Sequence, residues 1–249
     1  MDVLQSFSFY QLMCIALLFI WTGFVRSGLG FGGAALGLPL LLFVYDQAIF
    51  WMPIIGLHLL FFSALTLRTR INKVDTAYLK KSMVIILPFT LIGIAGLITL
   101  PTHWLLSFIY GVALLYSLLW LFDIAVQSHS QFIDHCLLAV GGYVAGTSLT
   151  GAPLIAAVFI RNVSAPLLRN TLFVTWFVIV SLKLSVFWAI GVALQWQTAI
   201  LLLPVAAAGH YLGLKAHEYI LRNTILFKRV IGFILAFISL LGLIKVWWL

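Results

Sequence analysis

The chain has 249 residues, 64% of them hydrophobic and only 8% charged, with a mean hydropathy of +1.18. That balance excludes an ordinary soluble domain, and apolar runs that are continuous rather than alternating exclude a β-barrel, which leaves a polytopic protein of apolar helices. The net charge of +8 sits mostly in short loops between apolar runs, so it reports membrane topology rather than nucleic-acid binding.

In chain order, Met1 to Phe7 carry one acid, Asp2, and no base, so no basic leader of a cleaved signal peptide is expected. Apolar segment A runs from about Phe9 to Val25 and is followed by Arg26 and by the small-residue stretch Gly28-Leu-Gly-Phe-Gly-Gly-Ala-Ala-Leu-Gly-Leu-Pro39. Segment B, about Ala34 to Tyr45, is too short to cross ~30 Å comfortably as a helix. Segment C covers about Ile49 to Leu67. A basic loop with Arg68, Arg70, Lys73, Lys80 and Lys81 leads to segment D, about Val84 to Leu100. Pro101-Thr-His103 turns the chain into segment E, about Trp104 to Phe122.

The polar linker Asp123 to Asp134 divides the chain. Segment A′, about Phe132 to Ala145, is interrupted by Gly146-Thr-Ser-Leu-Thr-Gly-Ala-Pro153 and continues as a short B′ to Ile160. Arg161 and Arg169 bracket a turn, C′ covers about Thr171 to Val192, and Gln195-Trp-Gln197 turns into D′, which reaches about Leu214. A second basic loop, Lys215, Arg222, Lys228 and Arg229, precedes E′, about Val230 to Leu249. Cys14 and Cys136 both fall in apolar segments and suggest no disulfide framework.

The two small-residue stretches align at one constant offset: Gly28 with Gly146, Gly33 with Gly151, Ala34 with Ala152. Pro88 with Gly93 in D echoes Pro204 with Gly209 in D′. The base-rich loop follows C in the first half and D′ in the second, so with bases on the cytoplasmic side the halves face opposite ways. All of the fourteen bases except Arg26, Lys183 and Lys245 then lie inside, and Trp51, Trp104, Trp188, Trp196, Trp247 and Trp248 form an outer aromatic belt. The expected fold is all-α: a transmembrane bundle of two inverted-topology repeats, each with a Gly-rich broken or re-entrant helix pair plus three transmembrane helices. Residues 1–122 form the first repeat, 123–134 a cytoplasmic linker and 135–249 the second repeat, with both termini outside.

The motif G-x-G-x-G-G-A followed by L-P-L-L, and its second copy G-T-S-L-T-G-A-P-L, resemble the duplicated signature of the sulfite exporter (TauE/SafE) family. The resemblance extends to the basic loop after C, to D and D′, and to Arg169-Asn-Thr-Leu172 at the start of C′. The second copy has Thr147, Ser148 and Thr150 where the first has Leu29, Gly30 and Gly32. The resemblance implies a bacterial inner-membrane carrier that moves sulfite, sulfoacetate or a related small organic anion outward.

The chemistry points the same way. Irregular backbone is tolerated at membrane depth only against protein or a wet cavity, and paired breaks in corresponding places mark a transporter's binding site. Free N–H groups at a helix start, together with the macrodipole, suit an anion. The expected substrate site is therefore Gly28, Gly30, Gly32 and Gly33 at the first break with Arg26 beside it, and Thr147, Ser148, Thr150 and Gly151 at the second with Lys183. The competing reading of the glycines is close helix packing alone. Arg26 either offers a bidentate fork to an oxyanion or snorkels to an interface; Lys183, mid-C′, is an anion counter-charge or a gating base. His58 and His210 are candidates for proton coupling or simply hydrogen-bonded packing residues, and Arg169 with Asn170 forms an inner gate or a topology anchor.

All six acids fall in tails or loops, with Asp46 and Asp134 bordering segments, so no ligand for a buried-carboxylate cation site is evident and the membrane potential is the expected driving force. Neither a P-loop, zinc spacing nor paired catalytic carboxylates occurs, so no cofactor or metal is expected. An intramembrane enzyme using Ser148 with His210, or Cys136, is the competing class; a non-transporting scaffold and an importer are the others. Expected partners are a small anion and the lipid bilayer, and whether two copies form a homodimer is left open.

Overall fold

The computed structural model describes residues 6–29, 33–68, 70–222 and 224–248. Among them are ten α-helices and no strand: α1 (Phe9–Leu29), α2 (Gly33–Val44), α3 (Ala48–Leu67), α4 (Thr76–Thr99), α5 (Thr102–Leu121), α6 (Gln131–Ser148), α7 (Ala152–Asn162), α8 (Ala165–Ala189), α9 (Trp196–Arg222) and α10 (Thr224–Trp248). Seven are long and apolar enough to cross a membrane, and α2 and α7 are shorter apolar helices. At 1.5 Å per residue these two reach only about 18 and 16 Å, well short of a bilayer's ~30 Å core.

The chain divides into two compact units. Unit 1 takes Met1–Ile54, Pro101–Ala125 and Gln195–Leu249; unit 2 takes Ile55–Leu100 and Val126–Leu194. In unit 1, α1 packs chiefly along α9, and α5 along α10. A Cβ at Gly209 would overlap the carbonyl oxygen of Ile20, so the backbones themselves are in contact. A core of Val25, Leu36, Ala113, Ile231 and Leu235 joins α1, α2, α5 and α10, and half-buried Trp21, Phe24, Trp120 and Phe227 cover it. In unit 2, α6 packs along α4, and a Cβ at Gly146 would overlap the Thr90 carbonyl oxygen. Without a hydrophobic force between helices in lipid, such small-residue seams supply the van der Waals contact that holds them together. Gly146, singled out as a break residue, is therefore also a packing residue.

Each short helix folds back on its predecessor. In unit 1 a Cβ at Gly33 would lie 2.8 Å from the Thr22 carbonyl oxygen and 3.0 Å from Arg26 Cβ. In unit 2 a Cβ at Gly141 would lie 2.7 Å from Ile155 Cγ1 and 3.2 Å from Leu154 Cβ. The broken pairs α1–α2 and α6–α7 are hairpins.

Several helix limits differ from hydropathy. α4 starts at Thr76, not Val84, because Asp75 caps it: its carboxylate accepts from Tyr78 N–H at 2.9 Å, and Lys80 and Lys81 become helical. α9 runs to Arg222 rather than Leu214, with Lys215 lying over the Tyr211 ring at 4.5 Å, so the second basic loop is almost wholly helical. Trp51 leaves the expected outer belt. It is fully buried beside Phe7, Tyr45 and Phe50 and donates Nε1–H to the Tyr45 carbonyl at 2.8 Å, while Trp104, Trp188, Trp196, Trp247 and Trp248 are exposed. Cys14 and Cys136 are free and exposed on α1 and α6.

Candidate functional site

Helix ends leave carbonyls and N–H groups without intrahelical partners, and inside a bilayer protein must satisfy them. In unit 2, α6 ends at Ser148, and Leu149 turns the chain out of the helix in the left-handed region with φ 60°. That conformation is rare for leucine and costs about 1–2 kcal/mol, so the surroundings hold it. The last turn is closed by Leu149 N–H to Ala145 O at 3.0 Å. The next carbonyl, that of Gly146, accepts from Lys183 Nζ of α8 at 2.6 Å.

Lys183 is 1% exposed. Its ammonium carries three donors, and among the described residues one is spent, on Gly146. Its other neighbour is the face of Phe187, 5.7 Å from Nζ. No carboxylate pairs with it: the ion pair found among the described residues is Arg161 with Asp134. A buried cation balanced only by a carbonyl dipole and a ring face is costly, and an anion arriving beside it recovers much of that cost.

The three hydroxyls of this break, expected in the substrate site, are all bonded within the protein. Thr147 Oγ1 donates to the carbonyls of Gly93 (3.1 Å) and Tyr143 (2.9 Å), and Ser148 Oγ to that of Val144 at 3.0 Å. With its proton so used, Ser148 accepts from Thr150 Oγ1 at 2.6 Å. All three are fully buried and stitch the break rather than present protons. Gly151 then caps α7 without a side chain; a Cβ there would overlap Gly141 O and lie 2.8 Å from Ala145 N. The first turn of α7 contains Pro153, which has no N–H, so Ala152 and Leu154 supply the backbone donors of that helix start.

The first break lies in unit 1. Arg26 is buried in the last turn of α1, where a cation suits the C-terminal end of the helix dipole. The Gly28 carbonyl accepts from His217 Nδ1 of α9 at 2.6 Å. Ser27 Oγ donates to Gly23 O at 3.0 Å and is bonded in turn to His210 Nδ1, while His217, facing a carbonyl oxygen, donates from Nδ1. Gly33 opens α2 against Thr22 and Arg26. Gly30 and Gly32, also expected in the site, lie outside the described residues. His217, expected in a loop, is a member of this site.

Unit 1 thus brings Arg26, Gly28, Gly33 and His210 to one hairpin, and unit 2 brings Thr147, Ser148, Thr150, Gly151 and Lys183 to the other. His58 is buried in α3. Arg169 and Asn170 stand in the first turns of α8, about 20 Å along that helix from Lys183, so they are not part of its immediate site. Arg169 Cζ lies 5.6 Å over the Phe173 ring.

Asp134 departs from the expectation that no acid is buried. It sits in the first turn of α6, 6% exposed, and its Oδ2 accepts from Arg161 at 3.0 Å and Asn162 at 3.1 Å. Oδ1 has no hydrogen-bond partner among the described residues, and Asp134 lines a cavity of about 40 Å³ together with Tyr78, Lys81, Ser82 and His135, room for water. The carboxylate is committed to Arg161, and the lysine and histidine beside it disfavour a metal cation there. No group of histidine, cysteine and acidic residues suited to a metal occurs among the described residues.

A family model described as Sulfite exporter TauE/SafE matches residues 15–241, nearly the whole chain and both breaks. No curated protein and no solved structure matches.

Proposed function

The chain belongs to the sulfite exporter (TauE/SafE) family of membrane transporters, and on that premise we propose that it carries a small sulfur oxyanion or organosulfonate, sulfite or sulfoacetate in the first place, out of a bacterial cell across the inner membrane by alternating access. The observation that carries this reading is Lys183: a buried ammonium at a helix break, with two N–H donors unspent and no carboxylate partner among the described residues. A sulfite or sulfonate brings the missing negative charge and oxygens that only accept. The backbone donors at the start of α7 and the dipole of that helix add to the attraction.

The carried anion leaves with its charge, so movement is electrogenic. The membrane potential contributes about 2.3 kcal/mol per charge per 100 mV and drives export without a coupled cation. The only buried carboxylate among the described residues, Asp134, is engaged by Arg161, which leaves no ready proton or sodium site in that region.

Purified protein in proteoliposomes loaded with sulfite, sulfoacetate, thiosulfate or a simple carboxylate tests the proposal. The expected result is sulfite or sulfoacetate efflux that accelerates when an imposed potential favours anion exit. Flux of none of these anions, or flux that ignores voltage and follows a pH gradient, overturns substrate or coupling respectively. Flux in the inward direction alone favours an importer.

A further inference from the structure

Helix α8 repeats one feature that the site at Lys183 does not use up. Arg169, Trp176 and Lys183 stand at seven-residue intervals. Seven residues are close to two turns, so the three share one face, drifting by about 20° per step and rising about 10 Å each time. Each carries an unspent N–H. Arg169 Nε and Trp176 Nε1 are buried atoms without a hydrogen-bond partner, and Lys183 spends one of its three donors.

Buried donors without acceptors are rare, because each costs about what a lost hydrogen bond costs. Two on a single stripe of a single helix, in line with an ammonium that has spent one of its three donors, is a pattern rather than a lapse in packing. Nor is the charge on the stripe neutralised in the ordinary way: Arg169 and Lys183 each lie over the ring four residues further on, Phe173 and Phe187, and among the described residues neither pairs with a carboxylate. Aromatic faces hold a cation without occupying its N–H groups as a carboxylate would. Asn170, whose Oδ1 is a buried acceptor without a partner, is one residue and so about 100° away from Arg169, off the stripe.

We propose that this face of α8 is the route along which the transported oxyanion moves, passing from donor to donor, with the indole N–H of Trp176 as the station between the two cations. The proposal rests on the reading of Lys183 as the anion's counter-charge and extends it to a residue with no charge of its own. A neutral donor suits the middle of such a route. It satisfies an anion's oxygen without holding the ion as tightly as an ammonium or guanidinium.

Trp176→Phe removes the donor and keeps an aromatic ring. In sulfite-loaded proteoliposomes the variant is expected to lose about tenfold in maximal flux, the worth of one hydrogen bond to a charged group. Half-saturation stays within about twofold, because Lys183 is untouched. Its unfolding temperature is expected to equal or exceed that of the wild type, since an unsatisfied buried donor has gone. Flux equal to wild type overturns the proposal, and so does a fall in unfolding temperature that parallels the fall in flux, which assigns Trp176 a packing role.

A second readout does not depend on transport. With the nine tryptophans replaced by 5-fluorotryptophan, the resonance missing in Trp176→Phe identifies Trp176, and adding sulfite is expected to shift it. A resonance that stays put overturns the route. Wild-type protein that carries no sulfite overturns the proposed substrate instead, and the fluorine signal still decides whether an anion reaches this indole.

Discussion

The two hairpins finish their first helices alike and differ in the group that finishes them. Gly28 and Gly146 occupy the same place in the two copies of the motif, and each offers a carbonyl near its helix end to a side chain from a distant helix at 2.6 Å. At Gly28 the donor is the Nδ1–H of His217, and at Gly146 it is the ammonium of Lys183. The Nδ1–H of His217 satisfies the carbonyl with the single donor that nitrogen carries. An ammonium satisfies it and still has two donors and a full charge to place. The same structural need, closing a helix end within the bilayer, thus leaves the second break with capacity for an anion that the capping group of the first lacks.

The largest expected effect concerns how tightly each hairpin is closed. Adding a methyl group at Gly151 places it in overlap with Gly141 O and 2.8 Å from Ala145 N, whereas at Gly33 the nearest backbone atom is Thr22 O at 2.8 Å, so the backbone must shift at both and much further at Gly151. Gly151→Ala is expected to cost about 3 kcal/mol and Gly33→Ala about 1 kcal/mol, read as the difference in unfolding in detergent. Equal losses would show that the hairpins are closed equally tightly.

Next in size is the ion pair between α6 and α7. Asp134→Asn leaves Arg161 without its partner. Because the arginine side chain is 35% exposed and keeps contact with water, the expected loss is about 1–2 kcal/mol rather than that of a fully buried pair. Sulfite flux per folded molecule is expected to be unchanged, and a selective loss of flux with unaltered stability would move Asp134 into the transport mechanism.

The smallest effect belongs to His217→Gln, whose amide can still donate to the Gly28 carbonyl. Stability is expected to fall by at most about 1 kcal/mol and flux by less than about threefold. A larger loss of flux would give the imidazole a role beyond capping.

Hydropathy and the duplicated motif made much of the fold legible. The apolar runs, the two short helices and the basic stretches all follow from local composition, and residue spacing alone singled out Lys183 as a cation that could not easily reach water. What composition cannot report is which long-range partner a group finds. Trp51 has the residue type of an interface anchor but is buried because Phe7, Tyr45 and Phe50 enclose it. Thr147, Ser148 and Thr150 look like donors in the sequence and are spent on carbonyls of α4 and α6 and on one another. Asp134 and His217 lie beside polar stretches, where hydropathy sees a loop; a helix start buries the one, and an extra length of α9 carries the other to Gly28. Trp176 carried no sequence signal of function except its place seven residues from both Arg169 and Lys183.

Lys183→Gln tests the central claim most directly, because glutamine, one bond shorter, still carries an N–H donor toward the Gly146 carbonyl and removes the charge. Sulfite binding should be titrated into purified wild type and variant, with unfolding temperatures measured alongside. The expected result is a variant that folds within a few degrees of wild type and binds sulfite about a hundredfold more weakly, the scale of one charge-assisted contact in a buried site. A stable variant that binds sulfite as tightly as the wild type would contradict the account: Lys183 would then be a helix cap and nothing more.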